Sequence, residues 1–406
     1  MREGNKDMSG LSRDEVERRG HGVWAEVDLE AIRHNIAELR TIAAGSEVMG
    51  VVKGYAYGHG NPAVAQAMLE AGATRLGVAR VAEALHLREA GVTAPIHVFT
   101  EPPPRSAATM LSYDLTPTVY SEEFARSLSE AALAKGRRIG VHVKVDTGMH
   151  RVGIMASDLS DAIRALRTLD GIDIEGAWSH FAVADVPGHS FTRRQFDLFN
   201  ELVIEIEKTT APLRYKHMAN SAATLSLPES HLDIVRPGVA SYGLWPGPHL
   251  VTSAELRPAM SLRARVNASK IVPAGERLSY GLRYELERDG RIVTVPAGYA
   301  DGYDRGLSGR ADVLIEGKRY RVSGTVCMDQ FLVDVGEDPV DIGAVATLIG
   351  SEGDAHITAE ELAGVIGTIN YEITTRIASR VPRVYLNETA STSRDVAEQP
   401  TETSAR

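Results

Sequence analysis

The sequence lacks the features that mark secreted and membrane proteins. Its 406 residues include one cysteine, Cys327, so no disulfide can form within the chain, which fits a reducing compartment. No apolar run approaches the length of a membrane-spanning helix. Residues 1–22 are polar and charged, without the apolar segment of a signal peptide. We therefore expect a cytoplasmic protein that does not insert into a membrane.

The sequence also has fewer basic than acidic residues. Lysine and arginine total 44 against 54 acidic residues, which gives a net charge of -10, and no basic block occurs. A nucleic-acid or anionic-membrane partner is therefore not expected. Aromatic residues make up only 6%, whereas 43% hydrophobic and 24% charged residues are ordinary for a globular protein. The length suffices for two domains, or for one large barrel with a smaller domain.

The most informative stretch is 48–60, where an apolar run ends abruptly in Lys53 and a glycine-rich loop follows. An amine at the end of a buried strand is costly to keep charged, so it can become neutral and nucleophilic. The alternative is an ordinary lysine whose ammonium group reaches solvent. The pattern of the remaining chain decides between these interpretations.

Short apolar runs alternate with helical segments in the first 240 residues. This rhythm predicts an α/β fold, a (β/α)8 barrel of the TIM type, with a doubly wound sheet as the alternative. The predicted strands lie near Glu47–Lys53, Arg75–Arg80, Ile96–Thr100, Thr116–Val119, Ile139–Val145, Ile174–His180, Tyr215–Ala219 and Ile234–Tyr242.

Polar side chains end six of these eight runs, more than core packing needs. The carboxyl ends of barrel strands form the face at which active sites lie, so we expect these side chains to meet there. They are Lys53, Arg80, Lys144 with Asp146, His180, His217 with Asn220, and Arg236.

The pattern changes near Pro258, where alternating apolar and polar residues begin. They predict a mostly antiparallel β domain over residues 258–386, after a barrel domain over residues 23–257. Residues 1–22 and 387–406 are polar and are predicted to be disordered.

Nine short motifs, which occur in family order, resemble those of alanine racemases, pyridoxal-phosphate enzymes built from a barrel and a C-terminal β domain. The motifs are VVKGYAYGHG at 51–60, KVDTGMHRVG at 144–153, SHFAVAD at 179–185, HMANSAA at 217–223, RPGVASYG at 236–243, RLSYG at 277–281, GYADGY at 298–303, VCMDQ at 326–330 and INYE at 369–372.

The resemblance implies an isomerase that interconverts L-alanine and D-alanine and supplies D-alanine for peptidoglycan. Lys53 would hold pyridoxal 5′-phosphate as an imine, which makes the substrate Cα–H acidic. Racemisation needs proton exchange on both faces of the carbanion, and one base cannot easily reach both. Tyr280 matches the family's second base, which comes from the partner subunit of a homodimer. A racemase of another amino acid, such as serine or a basic amino acid, is the alternative.

Further roles follow from the same motifs. A free tyrosine has a pKa of about 10, so Tyr280 needs a cationic or hydrogen-bonding environment, for which His217 and Arg236 match the family residues. Arg236 is expected to face the pyridine nitrogen, where a group that stays protonated limits electron delocalisation. The implied cofactor contacts also include His180, stacked on the ring, and Tyr57, Asn220, Ser221, Gly238, Val239 and Tyr371 around the phosphate.

The remaining implied residues surround the substrate. Arg151 and Met328 match residues near its carboxylate, and Lys144 matches a lysine that is often carbamylated, which orients that arginine. Asp185, Tyr299, Tyr303 and Asp329 are expected to support the site or line its entrance. No metal is expected.

One departure from the family pattern is local. Gly54 and Tyr55 stand where the family usually has alanine and an acidic or amide residue. The spacing of Lys53 and Tyr57 is kept, so we expect cofactor binding to be retained and a loop contact or helix cap to be lost.

Two other classes of pyridoxal-phosphate protein fit less well. A non-catalytic homeostasis protein resembles the barrel half alone, and the β domain with Tyr280 argues against it. A barrel-type decarboxylase would carry His-Val-Gly-Ser and Gly-Gly-Gly phosphate motifs, which we do not find.

Overall fold

The computed structural model describes residues 10–250 and 254–389, and its first elements are helix α1 (Arg13–Arg18) and strand β1 (Val23–Asp28). Leu11 and Val16 are buried against Trp24 of β1. The prediction of disorder over residues 1–22 is therefore wrong for residues 10–22, because this segment buries apolar side chains of its own; residues 1–9 lie outside the described residues.

Eight parallel strands then follow in a barrel. Their spatial order is their chain order, and β10 pairs with β2, whereas a doubly wound sheet would reverse direction midway. Between β9 and β10 the backbone N–H groups of Asp233 and Arg236 donate to Lys216 and Ala219 at 3.0 and 2.9 Å. The predicted barrel is thus confirmed. The strands are β2 (Glu47–Val51), β3 (Arg75–Val78), β4 (Ile96–Val98), β5 (Leu115–Val119), β6 (Ile139–Asp146), the two-residue β7 (Ile154–Met155) beside β6, β8 (Ile172–Trp178), β9 (Tyr215–His217) and β10 (Ile234–Val235).

Helices cover the outside of the barrel, and their buried faces carry the apolar residues at helical spacing. One short element, α3, has left-handed dihedral angles and is described with the site. The helices are α2 (Leu29–Ile42), α3 (Lys53–Tyr57), α4 (Asn61–Glu70), α5 (Val81–Glu89), α6 (Ala107–Ser112), α7 (Glu122–Ala134), α8 (Leu159–Leu166), α9 (Ser190–Glu207) and α10 (Ser221–Ser226).

The second domain is mostly antiparallel, as predicted. A sheet in the order β17-β16-β19-β11-β1-β21 packs with a three-stranded sheet, β12-β15-β18, and a hairpin, β13-β14. Its elements are β11 (Met260–Arg265), β12 (Ala268–Val272), β13 (Arg277–Leu278), β14 (Tyr284–Glu285), β15 (Gly290–Val295), β16 (Asp312–Ile315), β17 (Lys318–Arg321), β18 (Phe331–Gly336), β19 (Val345–Glu352), β20 (Ala355–Ile357), α11 (Ala359–Ile366), α12 (Asn370–Thr375) and β21 (Arg383–Leu386).

Two predicted boundaries need correction. Strand β1 pairs with β11 and β21, so residues 23–28 belong to the sheet of the second domain rather than to the barrel. The strand predicted over 234–242 ends at Val235, and Val239–Tyr242 form a 3-10 turn. Apolar alternation marks a strand but does not identify its partner. A Pro-Gly pair after Arg236 ends the ladder because proline donates no N–H.

Within the described ranges, no helix is both long and apolar enough to cross a membrane.

Arg383 ties the second domain to the loop that follows Lys53. This arginine is buried in β21, and it donates Nε–H and Nη2–H to the carbonyl of Gly58 at 2.9 and 2.8 Å. It also donates to the carbonyl of Ile377, just after α12, at 2.7 Å. The loop at the barrel mouth is therefore held by a residue more than 300 positions away in the sequence.

The docking of α1 gives a stability prediction. Val16→Ala removes two methyl groups from the cluster with Trp24, and we expect the free energy of unfolding to fall by about 1–3 kcal/mol. Arg18→Ala, at an exposed position of the same helix, is the control and should change it by less than about 0.5 kcal/mol. Denaturant titration measures both. Equal effects of the two variants would mean that α1 is not docked as described.

Candidate active site

The predicted polar residues converge at the carboxyl end of the barrel. Lys53 follows β2, Lys144 lies in β6, His217 ends β9 and Arg236 follows β10. Burial lowers the pKa of Lys53, and the nearby cations Arg151 and Arg236 lower it further, whereas Glu83 opposes them. A larger share of the Lys53 amine is therefore neutral, and nucleophilic, than in a free lysine.

The backbone after Lys53 makes a left-handed turn. Gly54, Tyr55, Ala56 and Tyr57 have φ between 52° and 63°. Such angles are costly for residues with a Cβ atom, so glycine at position 54 lowers the strain where the family usually has alanine. Tyr55, the other departure, lies under the guanidinium group of Arg383, 5.4 Å from ring centroid to Cζ. Tyr55 thus contributes to the contact between the loop and the second domain.

Glu83 holds this turn and was missed by the sequence reasoning. Its carboxylate accepts N–H groups from Gly54 at 2.7 Å and from Ala79 and Arg80 at 2.8 and 3.0 Å. The carboxylate therefore joins the ends of β2 and β3. Glu83 lies three residues after the N-cap residue Arg80, the spacing at which a glutamate reaches back to the N-cap N–H, and this spacing was the available signal. Arg80 itself contributes its backbone rather than its charge to this contact.

A small cradle lies between the ends of β9 and β10. The Ser221 hydroxyl accepts N–H groups from Gly238 and Ala240 at 2.8 and 3.3 Å. A Cβ atom on Gly238 would lie 2.2 Å from the hydroxyl oxygen of Tyr57, so this phenol reaches the cradle only because residue 238 is glycine. The Tyr371 ring lies 6.2 Å from the Tyr57 ring, between centroids.

Three further predicted residues lie around this cradle. Asn220 caps α10 by accepting the N–H of Ala223 at 3.1 Å, and Val239 is buried in the 3-10 turn. Burial raises the pKa of Tyr371, and the carboxylate of Asp185 raises it further, so Asp185 lies near that phenol.

Arg236 is buried beneath the mouth. It donates Nη2–H to the carbonyls of Ser179 and Met218 at 2.8 and 3.1 Å, and its Nη1 lies 3.0 Å from Nδ1 of His217. Burial and the charge of Arg151 lower its pKa to about 9. The same nitrogen that bonds Met218 lies 3.4 Å from Nδ1 of His180.

The two histidines are neutral in this environment. Burial and then the charge of Arg236 lower the pKa of both His180 and His217 well below the ordinary value. The ring of Trp178, which the sequence reasoning did not single out, stacks on His217 with centroids 5.7 Å apart and planes 3° apart. Trp178 also lies under Nζ of Lys144, at 4.7 Å.

Lys144 is buried, and its Nζ donates to the carbonyl of Val145 at 3.0 Å. Burial, followed by the charge of Arg236, lowers its pKa to about 7. Asp146, the neighbouring strand-end residue, accepts the N–H of Gly148 at 2.8 Å and so shapes the loop toward Arg151. Arg151 is exposed at the mouth.

The predicted residues of the second domain separate into two groups. Tyr280, Tyr299, Met328 and Asp329 are exposed, Tyr280 to 74%, and Asp329 accepts a hydrogen bond from Arg380 at 2.7 Å. Tyr303 is 2% exposed and stacks on Phe331 in the core, so it does not line an entrance, and its other expected role, support of the site, stays a prediction. Sequence alternation does not reveal which tyrosine of GYADGY points inward.

These residues fit pyridoxal phosphate. An amine of lowered pKa, a cradle of hydroxyl groups and a glycine backbone, and a buried guanidinium group lie at one barrel mouth. In such a site the amine would take the aldehyde, the cradle would take the phosphate and the guanidinium group would lie near the ring.

Comparison with known proteins identifies the family that the chain resembles. Residues 27–246 match the family model "Alanine racemase, N-terminal domain" and residues 259–385 match "Alanine racemase, C-terminal domain". The chain is 44% identical over 366 residues to an alanine racemase of Carboxydothermus hydrogenoformans, which covers 90% of this chain and 99% of that protein.

Solved structures are also similar. An alanine racemase from Streptomyces lavendulae is 42% identical with a TM-score of 0.88, over 91% of this chain and 98% of that one. A histidine racemase from Leuconostoc mesenteroides is 31% identical with a TM-score of 0.84, over 90% of this chain and 99% of that one.

The cradle gives the next prediction. Gly238→Ala places a methyl group where the Tyr57 hydroxyl lies, so we expect the affinity for pyridoxal phosphate to fall by about tenfold or more. Gly364→Ala, where a Cβ atom meets nothing within 4 Å, is the matched control and should bind normally. Absorbance titration of cofactor-free protein measures both. Unchanged affinity in Gly238→Ala would remove the cradle as the phosphate site.

Proposed function

Because this chain belongs to the alanine racemase family, we propose that it interconverts L-alanine and D-alanine with pyridoxal phosphate and two opposing proton-transfer residues. Members of this family are isomerases, and the resemblance read from the sequence motifs is confirmed. The observation that carries the proposal is the Lys53 amine, whose pKa is lowered beside Arg236 at the barrel mouth.

Lys53 is the first proton-transfer residue of the proposal. Pyridoxal phosphate, when bound, supplies the electron sink that makes the substrate Cα–H acidic. The Lys53 Nζ atom accepts or returns a proton on one face of Cα, which requires the neutral amine favoured by its burial. Arg236 holds its charge toward the ring, and Tyr57 and Ser221 bind the phosphate.

Tyr280 is the second proton-transfer residue, and it acts in the active site of a partner subunit. The loops around Tyr280 are joined by hydrogen bonds. Thr325 Oγ1–H donates to the Tyr280 carbonyl at 2.7 Å, and the N–H groups of the two residues after Gly298 donate to the carbonyls of the two residues before Asp329. Tyr280, Tyr299 and Met328 are 74%, 43% and 53% exposed. Exposed apolar side chains on adjoining loops support a contact surface for a second copy.

The substrate is proposed to be alanine, with D-alanine serving peptidoglycan synthesis in the cytoplasm. The alanine racemase of Carboxydothermus hydrogenoformans is 44% identical to this chain and that of E. faecalis is 35% identical, whereas the similar histidine racemase is 31% identical. The similarity to a histidine racemase supports the alternative, a racemase of another amino acid such as serine or a basic amino acid. A panel of single enantiomers, including serine, histidine and lysine, tests the choice, and a faster reaction with any of these than with alanine would favour the alternative.

The two-residue mechanism predicts distinct losses in two variants. Lys53→Ala should lose both cofactor attachment and Cα-hydrogen exchange in deuterated buffer, because the amine is absent. Tyr280→Phe should keep the yellow protein-bound cofactor and lose racemisation by about 100-fold or more, because one face lacks its proton-transfer group. Native racemisation in Tyr280→Phe would refute the assignment.

Mixing these two inactive variants tests the shared site. In a heterodimer, one active site carries both substitutions and the other carries neither, so a mixture that exchanges subunits should recover about one quarter of native activity. The controls are each variant alone and the two variants combined before their subunits exchange. All of these samples should remain inactive. No recovery in a mixture with demonstrated heterodimers would exclude action in trans.

Lys144 is the proposed carbamylation site. Its buried amine has a pKa lowered to about 7, so the neutral form that attacks carbon dioxide is abundant above that pH and is lost below it. The resulting anion would lie near the cations Arg151 and Arg236. Intact mass in bicarbonate under gentle conditions should show one added carbon dioxide at about pH 8 and less at about pH 6. Lys144→Ala should never gain it, and a native protein of unmodified mass at the higher pH would rule the modification out.

A further inference from the structure

A continuous line of polar groups crosses the barrel interior beneath the active site. It begins at Arg236, passes through His217 at the end of β9 and His142 in β6, and reaches Glu175 in β8. Both histidines are fully buried, whereas the Glu175 side chain is 31% exposed. The line therefore connects the buried guanidinium group with a carboxylate that contacts solvent.

The direction of the hydrogen bonds can be assigned from the arginine end. A guanidinium group only donates, so His217 Nδ1, 3.0 Å from Nη1 of Arg236, accepts. The proton of neutral His217 is then on Nε2, which donates to Nδ1 of His142 at 2.8 Å. The proton of His142 is consequently on Nε2, which makes no well-aligned hydrogen bond among the described residues but lies 3.4 Å from a carboxylate oxygen of Glu175. Every polar hydrogen in the line thus points away from Arg236.

Both imidazoles are neutral, so their tautomers matter. Burial lowers the pKa of His217, and the charge of Arg236 lowers it further. Burial also lowers the pKa of His142, against the opposing effect of Glu175. In a neutral imidazole one nitrogen donates and the other accepts, and its hydrogen-bond partners select the tautomer.

The fold makes room for this arrangement. The β6–β8 pairing shifts register between Val141 and His142, which pair with Ile174 and Gly176, so Glu175 is the extra residue of a bulge. A Cβ atom on Gly140 would lie 2.4 Å from the Glu175 carboxyl carbon. A Cβ atom on Gly176 would lie 2.7 Å from Nδ1 of His142. The bulge and the two glycines give the carboxylate and the imidazole the space they occupy.

A metal site is the competing interpretation of the same residues. His97, His142 and His217 offer nitrogen atoms that all lie within 4.8 Å of one another. Yet both nitrogens of His217 and Nδ1 of His142 already have partners, and Nε2 of His97 lies 2.9 Å from the Thr118 hydroxyl. The charges of Arg236 and Arg75 also act on this cluster. Added cations are repelled there, so the cluster favours hydrogen bonding over metal binding.

We propose that Glu175 and His142 are positioning residues, which fix the Nε2-protonated tautomer of His217 and thereby hold the guanidinium group of Arg236 toward the cofactor ring. The inference about Arg236 and the ring rests on the proposed function; the inference about the tautomers does not. Without an acceptor at position 175, His142 is free to carry its proton on Nδ1. That proton faces His217, which then presents a donor to a donor of Arg236.

The first test uses native protein without cofactor or substrate. Labelling with ¹⁵N-histidine, with assignment by His142→Gln and His217→Gln, should show His217 protonated on Nε2 and unprotonated on Nδ1. A His217 protonated on Nδ1 overturns the proposal whether or not the protein racemises alanine. The spectrum therefore separates failure of this inference from failure of the proposed function.

The second test compares two variants that both remove the charge. Glu175→Gln keeps an oxygen acceptor for His142 and should retain the native tautomers and kcat within about twofold, while Glu175→Met keeps the length but lacks the acceptor. Glu175→Met should lower kcat by about tenfold or more with little change in KM, and should show a mixed tautomer of His217. Holoenzyme is used for the kinetics.

Two outcomes contradict the proposal in this comparison. If Glu175→Gln and Glu175→Met behave alike, the acceptor at position 175 does not set the tautomer. If Glu175→Met loses activity while His217 keeps its native tautomer, the carboxylate acts on packing alone. Thermal unfolding of both variants identifies loss of fold, and in that case the native spectrum and Glu175→Gln still decide the question.

Discussion

The charge of Arg236, held inside the barrel, is the constraint on which the site depends. Among the described residues it forms no ion pair with a carboxylate, and carbonyl groups and an imidazole compensate it instead. A buried charge acts strongly on its neighbours because little water screens it. Burial lowers the pKa values of Lys53, Lys144 and His217, and the charge of Arg236 lowers each of them further, toward the neutral, reactive or acceptor form. One buried cation therefore acts on several protonation states at once.

Much of the fold and of the candidate site could be predicted from the sequence, because the patterns that determine them lie within short segments. Each of the eight apolar runs became a strand, and their polar ends meet at one mouth because parallel strands share that edge. What could not be predicted depends on non-local pairing. The partner of β1, the bulge that turns Glu175 inward and the burial of Tyr303 all follow from registers that no single segment encodes. The helix at 13–18 was missed because its few apolar residues find partners only in the folded sheet.

The second domain is part of the site as well as a neighbour of it. Its strand β21 supplies Arg383 to the Lys53 loop, and α12 supplies Tyr371 beside Tyr57. Strand β1, which precedes the barrel in the sequence, belongs to the sheet of that domain. The chain therefore crosses between the two domains twice, once before the barrel and once after it. This connectivity explains why the motifs of the site extend from residue 51 to residue 372.

The left-handed turn after Lys53 makes the barrel mouth depend on the second domain. Tyr55, Ala56 and Tyr57 each carry roughly 1–2 kcal/mol of backbone strain, which local sequence cannot offset. Glu83 holds the start of the turn from within the barrel, whereas Arg383 and the α12 backbone hold its end from the second domain. The α12 backbone is so close that a Cβ atom on Gly58 would lie 2.0 Å from the carbonyl of Thr374. Arg383 follows the turn by more than 300 positions in the sequence, so a barrel without the docked second domain lacks this half of the support for the loop that carries the reactive amine.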